Sequence, residues 1–508
     1  VRLLPLVAAA AVFGIGASMV DGWAVGALRD DSMYLELAKA LATGHGYHWL
    51  NLPGAPAATH FPPGYPGVLA LLWILAPSFP ANVVLFKLAN TLFATLSAVC
   101  LTRFVSRRFD MGEVAAPLFA VAAILAVPML TLATQVMSEP LFLLALLTTL
   151  LVAEDVIDDP NARWQRVVAV GLLAGATTLV RTNGVALIPA VVLVLCLRRR
   201  FRHTALFALA MLAVLLPWQL WVAAHADLVP APMRGNYGSY AALLGDAVRS
   251  RGIAFLGAVA ARTSAEITTM LQYVVAPGMG AAIRITALLA AGVLASLGIR
   301  PLWRRAPVTA LCLAGYAVIV VFWPYTPARF VWCVWPLLFL LPVLGARELL
   351  AWVPRAPAMR LTKMAALAGA AVLGLGYVTF NVVSFRNGSW SASGYAERLR
   401  PLVVYVATKT PSDAVVATEA ENTVYLYTGR KTVPLGSFMA TDYLKPRASA
   451  GFADAMALVL DRYRPAAVVV STGFLRAAAT ELSLRQPPLL TAIDSFPGGG
   501  LVLVPTRR

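Results

Sequence analysis

Hydrophobic and polar positions divide the chain into two unequal parts. Up to about residue 385, long uncharged stretches alternate with short charged ones: 3–20, 114–138, 204–224, 306–328, 330–346 and 364–385. Shorter apolar runs lie at 88–102, 140–153, 167–180, 182–197 and 285–299. Runs of roughly 18 or more apolar residues predict membrane-spanning helices, and shorter ones span when charged flanks snorkel. The run 66–77 has the length of a re-entrant or interfacial helix. From 386 to 508 the pattern changes, because Asp, Glu, Lys and Pro return. This tail predicts helices at 395–408, 421–428 and 452–463, and strands at 414–418, 431–435, 466–471 and 501–505. Such alternation predicts a small α/β domain.

Composition agrees. Of 508 residues 59% are hydrophobic and 13% charged, with a mean hydropathy of +0.75. That excludes a cytosolic enzyme, a disordered protein and a disulfide scaffold, and leaves a polytopic membrane protein. The net charge of +17 sits in clusters between apolar runs: Arg103/Arg107/Arg108, Arg163/Arg166, Arg198–Arg200/Arg202, Arg300/Arg304/Arg305 and Arg347/Arg355/Arg360/Lys363. No basic face is interleaved with aromatics, so nucleic acid is not a predicted partner. The positive-inside rule puts all five clusters in the cytoplasm when the N-terminus is inside and 66–77 does not span. The expected fold is therefore a bundle of about eleven spans, with the first apolar run read as a helix rather than a cleaved leader. The C-terminal domain and the long loops 21–65 and 225–283 then lie outside. The expected division is a membrane module, 1–385, and an extracytoplasmic domain, 386–508. Cys100, Cys196, Cys312 and Cys333 lie in apolar runs without metal-ligand spacing and read as small core hydrophobes.

Candidate chemistry gathers on the outer side. The first outer loop contains Arg29-Asp30-Asp31-Ser32-Met33-Tyr34, two carboxylates opening an amphipathic helix. Asp31 is placed either as an N-cap, or with its neighbour as part of a proton-accepting pair, since a carboxylate beside a low-dielectric surface and a like charge holds its proton more tightly. Further on, His60-Phe61-Pro62-Pro63-Gly64-Tyr65-Pro66 is a stiff entry to the 66–77 run, from which His60 or Tyr65 could face a substrate. The spacing of His45, His48 and His60 is not a metal-ligand pattern. Glu139, Arg181 and Arg329 sit at outer span ends, the last following Trp323-Pro324-Tyr325-Thr326-Pro327. Charges at such depths are costly, and two arginines on the disfavoured side suggest an anionic partner, to which a guanidinium fork suits a phosphate.

The order of these motifs, Asp30-Asp31-x-x-Tyr34, Pro62-Pro63-Gly64-Tyr65-Pro66, Ser138-Glu139-Pro140-Leu141-Phe142 and Arg329-Phe330, resembles the GT-C glycosyltransferases. The nearest branch is that of the bacterial protein-mannosyltransferase-like and aminoarabinose-transferase-like proteins. By motif the resemblance covers roughly 21–200 and 306–345. It implies a polyprenyl-phosphate sugar donor, an envelope acceptor (lipid, glycan or protein), and transfer on the outer face of the bacterial cytoplasmic membrane. It implies Asp30 as the base and an inverting displacement. The second acid of the family's pair is usually Glu, and here it is the shorter Asp31. Arg329 and Arg181 become candidates for the carrier phosphate, and Asp31, Tyr34, His60, Tyr65, Glu139 and Tyr325 for the remaining substrate contacts. Glu139 orients the acceptor or balances an arginine. No metal or other cofactor is expected. The rival classes are a lipid or polysaccharide transporter or flippase, and a scaffold presenting the outer domain. Transporters usually carry internal repeats and mid-span charges, and this sequence has neither pattern.

Overall fold

The structure, a computed structural model, describes residues 3–22, 25–230, 233–352, 360–388, 393–436, 439–471, 473–496 and 500–506. Helices α1 (Leu4–Ser18), α2 (Asp30–Ala42) and α3 (Gly64–Leu75) come first. They are followed by α4 (Val83–Phe109), α5 (Ala115–Ile124), α6 (Val127–Ala133), α7 (Glu139–Asp158) and α8 (Trp164–Val180). After α9 (Leu187–Leu197) and α10 (Phe201–His225), the long connection holds α11 (Arg234–Tyr237), α12 (Tyr240–Arg251) and α13 (Ala254–Val275). Then come α14 (Ala281–Arg305), α15 (Pro307–Val321), α16 (Ala328–Cys333), α17 (Trp335–Trp352) and α18 (Arg360–Arg386). Among the described residues, five helices are long and apolar enough to cross a membrane: Val83–Phe109, Glu139–Asp158, Phe201–His225, Ala281–Arg305 and Leu367–Arg386. The chain is a mostly helical, multi-pass membrane protein.

The run 114–138 is not one straight span. It forms α5 and α6, bent by 70° at a short break. Pro128 explains the bend, since it cannot donate to the carbonyl four residues back and its ring crowds that turn. The last membrane helix repairs the exposed backbone: Tyr377 Oη donates to the Ala122 carbonyl at 2.9 Å, and Asn381 Oδ1 accepts the Val127 N–H at 2.7 Å. In hydrocarbon, a helix break persists only with such partners. Elsewhere α14 and α17 cross closely. A Cβ on Gly345 would fall 1.7 Å from the Leu294 carbonyl oxygen, and one on Gly298 2.0 Å from that of Leu341, so only glycine permits the approach. The 66–77 run forms α3, which buries Tyr65, Leu69 and Trp73 and exposes Leu71, Ile74 and Leu75.

The tail folds as α19 (Ser393–Lys409), β1 (Val415–Thr418), α20 (Glu421–Thr428), β2 (Lys431–Pro434), α21 (Ser449–Tyr463), β3 (Ala467–Val470), α22 (Gly473–Leu484), β4 (Leu490–Phe496) and β5 (Gly500–Pro505). The sheet order is β2-β1-β3-β5-β4, with β1 parallel to both neighbours and β5 antiparallel to both of its own. Two of these elements, α22 and β4, are absent from the sequence expectation. β4 is an edge strand with five consecutive exposed positions, so the alternation that marks a half-buried strand is missing. The sheet domain docks on the 21–65 loop: Thr432 N–H donates to the Asn51 carbonyl at 2.8 Å.

Candidate active site

Four separate elements bring their polar ends together. The start of α2 supplies Asp30 and Tyr34. Glu139 opens α7, where a negative charge suits the positive end of the helix. Arg181 lies in an extended link between α8 and the 3₁₀ turn Thr182–Ala186. Arg329 sits in the first turn of α16, just after the rigid Pro324 and Pro327. Close approach of α3 and α8 keeps these elements in register, because a Cβ on Gly64 would sit 2.6 Å from the Leu179 carbonyl oxygen.

Arg329 is the hub. Its Nη1 donates to Asp30 Oδ2 at 2.9 Å, while Nη2 and Nε donate to Glu139 Oε1 at 2.8 and 3.0 Å. Arg181 Nη1 pairs with the same Glu139 oxygen at 2.9 Å and donates to Ser138 Oγ at 2.8 Å. Ser138 Oγ in turn lies 3.1 Å from Tyr34 Oη. Two carboxylates and two guanidiniums thus form one network around a cavity of about 150 Å³. Asp30, Tyr34, His60, Arg181, Tyr325 and Arg329 all line it. Arg181 is buried, yet its Nε has no hydrogen-bond partner among the described residues. His60 Nδ1 donates to the Gly238 carbonyl at 2.7 Å. Burial lowers its pKa, which leaves a neutral ring in the cavity wall.

Three expected site residues lie behind this wall rather than in it. Glu139 is fully buried and acts on the cavity through its two arginines. Tyr65 is fully buried and packs edge-on against Tyr34, ring centroids 5.0 Å apart, with its hydroxyl donating to Asn90 Oδ1 at 3.0 Å. Its place is set by its helix, since α3 turns that side into the protein core. Asp31 faces away from the cavity and is not the N-cap of α2; that position belongs to Arg29. Asp31 instead accepts the Gly26 N–H at 2.7 Å and the Ser32 N–H at 3.0 Å, pinning the loop before the helix. Burial pushes the Asp31 carboxyl up to about 6, with the nearby Asp30 charge adding to the rise and the two amides opposing it.

Several lining residues carried no signal. Tyr240, at the start of α12, reaches the cavity from the long connection and packs on His60 with centroids 4.4 Å apart. Trp323 flanks it at 5.3 Å. Glu36 is also unforeseen. It is fully buried, accepts the Asn51 N–H at 2.8 Å, and takes a hydrogen bond from Asn422 Nδ2 of the sheet domain. Burial pushes its carboxyl up to about 8; the Asn422 and Asn51 donors and Lys39 oppose the rise, and Glu421 adds to it.

A proton on Glu36 is thus held more tightly folded than unfolded, where the carboxyl titrates near 4.5. Its contribution to stability is complete below that value and is lost as pH rises through about 8. Glu36→Gln keeps a neutral group throughout. The thermal midpoint of the wild type should fall more than that of the variant between about pH 6 and about pH 9. Equal falls would assign the dependence elsewhere.

This helical bundle, with its acid-and-guanidinium cavity and appended sheet domain, has the fold of the GT-C glycosyltransferases. Over 99% of its length the chain superposes on ArnT, an aminoarabinose transferase, from Cupriavidus metallidurans bound to undecaprenyl phosphate, covering 97% of that chain at 17% identity and a TM-score of 0.54. The apo state of ArnT from the same organism matches at 16% identity, 99% and 97% coverage, and a TM-score of 0.55. An apo oligosaccharyltransferase from Archaeoglobus fulgidus matches 100% of this chain and 75% of its own, at 14% identity and a TM-score of 0.53. No family model and no curated protein matches the sequence.

Proposed function

We propose that the chain is an inverting glycosyltransferase that moves a sugar from a polyprenyl-phosphate donor to an acceptor hydroxyl on an envelope lipid, glycan or protein. The observation that carries this reading is a carboxylate and two guanidiniums sharing one small cavity in a membrane protein. ArnT, whose fold the chain shares, binds undecaprenyl phosphate. The site faces the outside of the bacterial cytoplasmic membrane, with about eleven spans in 1–385, the N-terminus in the cytoplasm and the domain 386–508 on the outer side.

In this mechanism the acceptor hydroxyl gives its proton to the Asp30 carboxylate. The oxygen attacks the anomeric carbon, the bond from that carbon to the phosphate oxygen breaks, and the configuration inverts. Charge gathers on the departing phosphate, where Arg181 and Arg329 stabilise it; donors aimed at developing charge are worth about 10²–10³ in rate each. Asp30 and Arg329 stand 2.9 Å apart, too close for a sugar carbon to lie between them. The phosphate opens that space, because its oxygens compete for the guanidinium fork and release Asp30. Arg181, with its unpartnered Nε, offers a second anchor. The two arginines thus take the role that a metal ion fills in other transferases.

The test is label transfer in proteoliposomes. Undecaprenyl-phosphate-linked mannose, glucose and aminoarabinose are each supplied with an envelope extract, with and without EDTA. One donor should label the extract, and the chelator should leave the rate unchanged. Movement of a donor across the bilayer without transfer would favour a transporter instead. Loss of transfer in EDTA would return the phosphate to a metal.

A further inference from the structure

Asp30 stands immediately after an unusual bend. Its N–H donates to the Leu28 carbonyl at 2.7 Å, closing a three-residue turn centred on Arg29. Arg29 has φ 63° and ψ −55°, the rare and strained form of the γ-turn for a residue with a side chain. The direction of the Asp30 side chain follows from that backbone, so whatever holds Arg29 aims Asp30.

Three consecutive residues at the start of α20 grip this region. Arg29 Nη2 donates to Glu421 Oε1 at 3.0 Å. Asn422 donates to Glu36, two turns further along α2. Thr423 presses on Gly26, where an added Cβ would meet its Oγ1 at 2.1 Å. All three are buried at 1% exposure. The long connection braces them, since Tyr237 Oη donates to Glu421 Oε1 at 3.1 Å and accepts from Asn51 Nδ2 at 3.0 Å. We propose that Glu421, through Arg29, is a positioning residue for Asp30, so that docking of the sheet domain completes the catalytic geometry. Without the clamp the turn relaxes and Asp30 loses its aim. The domain is then part of the machinery rather than only a cover. This inference rests on Asp30 being the base, as read above.

The test uses the full chain in detergent, with Glu421→Gln, Arg29→Gln and the double variant. Glutamine keeps the acceptor for Tyr237 and the shape of the side chain, while removing the ion pair. Amide hydrogen exchange at residues 26–33 is read first, because it needs no substrate. Each single variant should exchange there about tenfold faster than wild type. In the transfer assay each should lose about tenfold or more in kcat with KM for the donor nearly constant, as misaiming a reactive group does. The double variant should lose little more than either single one. Unchanged exchange at 26–33 would overturn the proposal, and so would a variant that melts earlier yet turns over at the wild-type rate. If the wild type transfers no sugar while exchange still responds, the functional reading fails and the clamp stands.

Discussion

Asp30→Asn should reduce sugar transfer by about 10³-fold or more while the protein folds as before. The side chain lines the cavity at 27% exposure and makes one ion pair, to Arg329. Asparagine has the same shape, and its Oδ1 still accepts from the Arg329 guanidinium, so packing and the network persist. What it cannot do is take the proton of an attacking hydroxyl. Positioned bases contribute about 10²–10⁴ in rate, and here no other lining carboxylate can substitute, because Glu139 is sealed behind its arginines. The neighbouring Asp31→Asn is the informative control. Asp31 accepts two backbone amides and lies away from the cavity, so its loss should lower stability and, through the loop that carries Asp30, turnover, but turnover far less than Asp30→Asn does. Rates measured in proteoliposomes, with exchange or melting as the folding check, separate the two. A fully active Asp30→Asn protein would end the assignment.

How far the sequence carries this picture depends on the range of the interactions. The apolar runs were legible because a bilayer imposes one length scale on its spans. Asp30, Arg181 and Arg329 stood out because charge beside a membrane is costly, so each invited a reason. Their meeting was not legible: Arg329 and Asp30 are 299 positions apart, and only helix packing joins them. The same holds for Arg29 and Glu421, 392 apart, and for Glu36, which looks like any acid on an amphipathic helix until the sheet domain covers it. Asp31 shows the converse. Its position near a helix start suggested a cap, but the strained turn at Arg29 moved the helix start two residues earlier and turned Asp31 toward Gly26. Tyr240 had no signal at all, since an aromatic at a helix start is ordinary until tertiary contacts place it beside His60.

Glu139→Gln should produce the largest loss of stability of any single change at the site. Glu139 is fully buried, and one of its oxygens holds both Arg181 and Arg329. Removing the charge strands the buried Arg181 without a carboxylate and leaves Arg329 with Asp30 alone. Breaking a buried ion pair by deleting one partner costs about 3–5 kcal/mol, mainly because the surviving charge is stranded. The double change Glu139→Gln with Arg181→Met should therefore recover part of the loss, since it strands one charge fewer. The same reasoning gives a direct test of the phosphate site. An anion placed between the two guanidiniums supplies the charge that the variant lacks. Undecaprenyl phosphate should thus raise the melting temperature of Glu139→Gln more than that of the wild type, by preferential binding to the folded state. Equal shifts in the two proteins would mean that the lipid phosphate binds away from Arg181 and Arg329, and the leaving-group role assigned to them would fall with it.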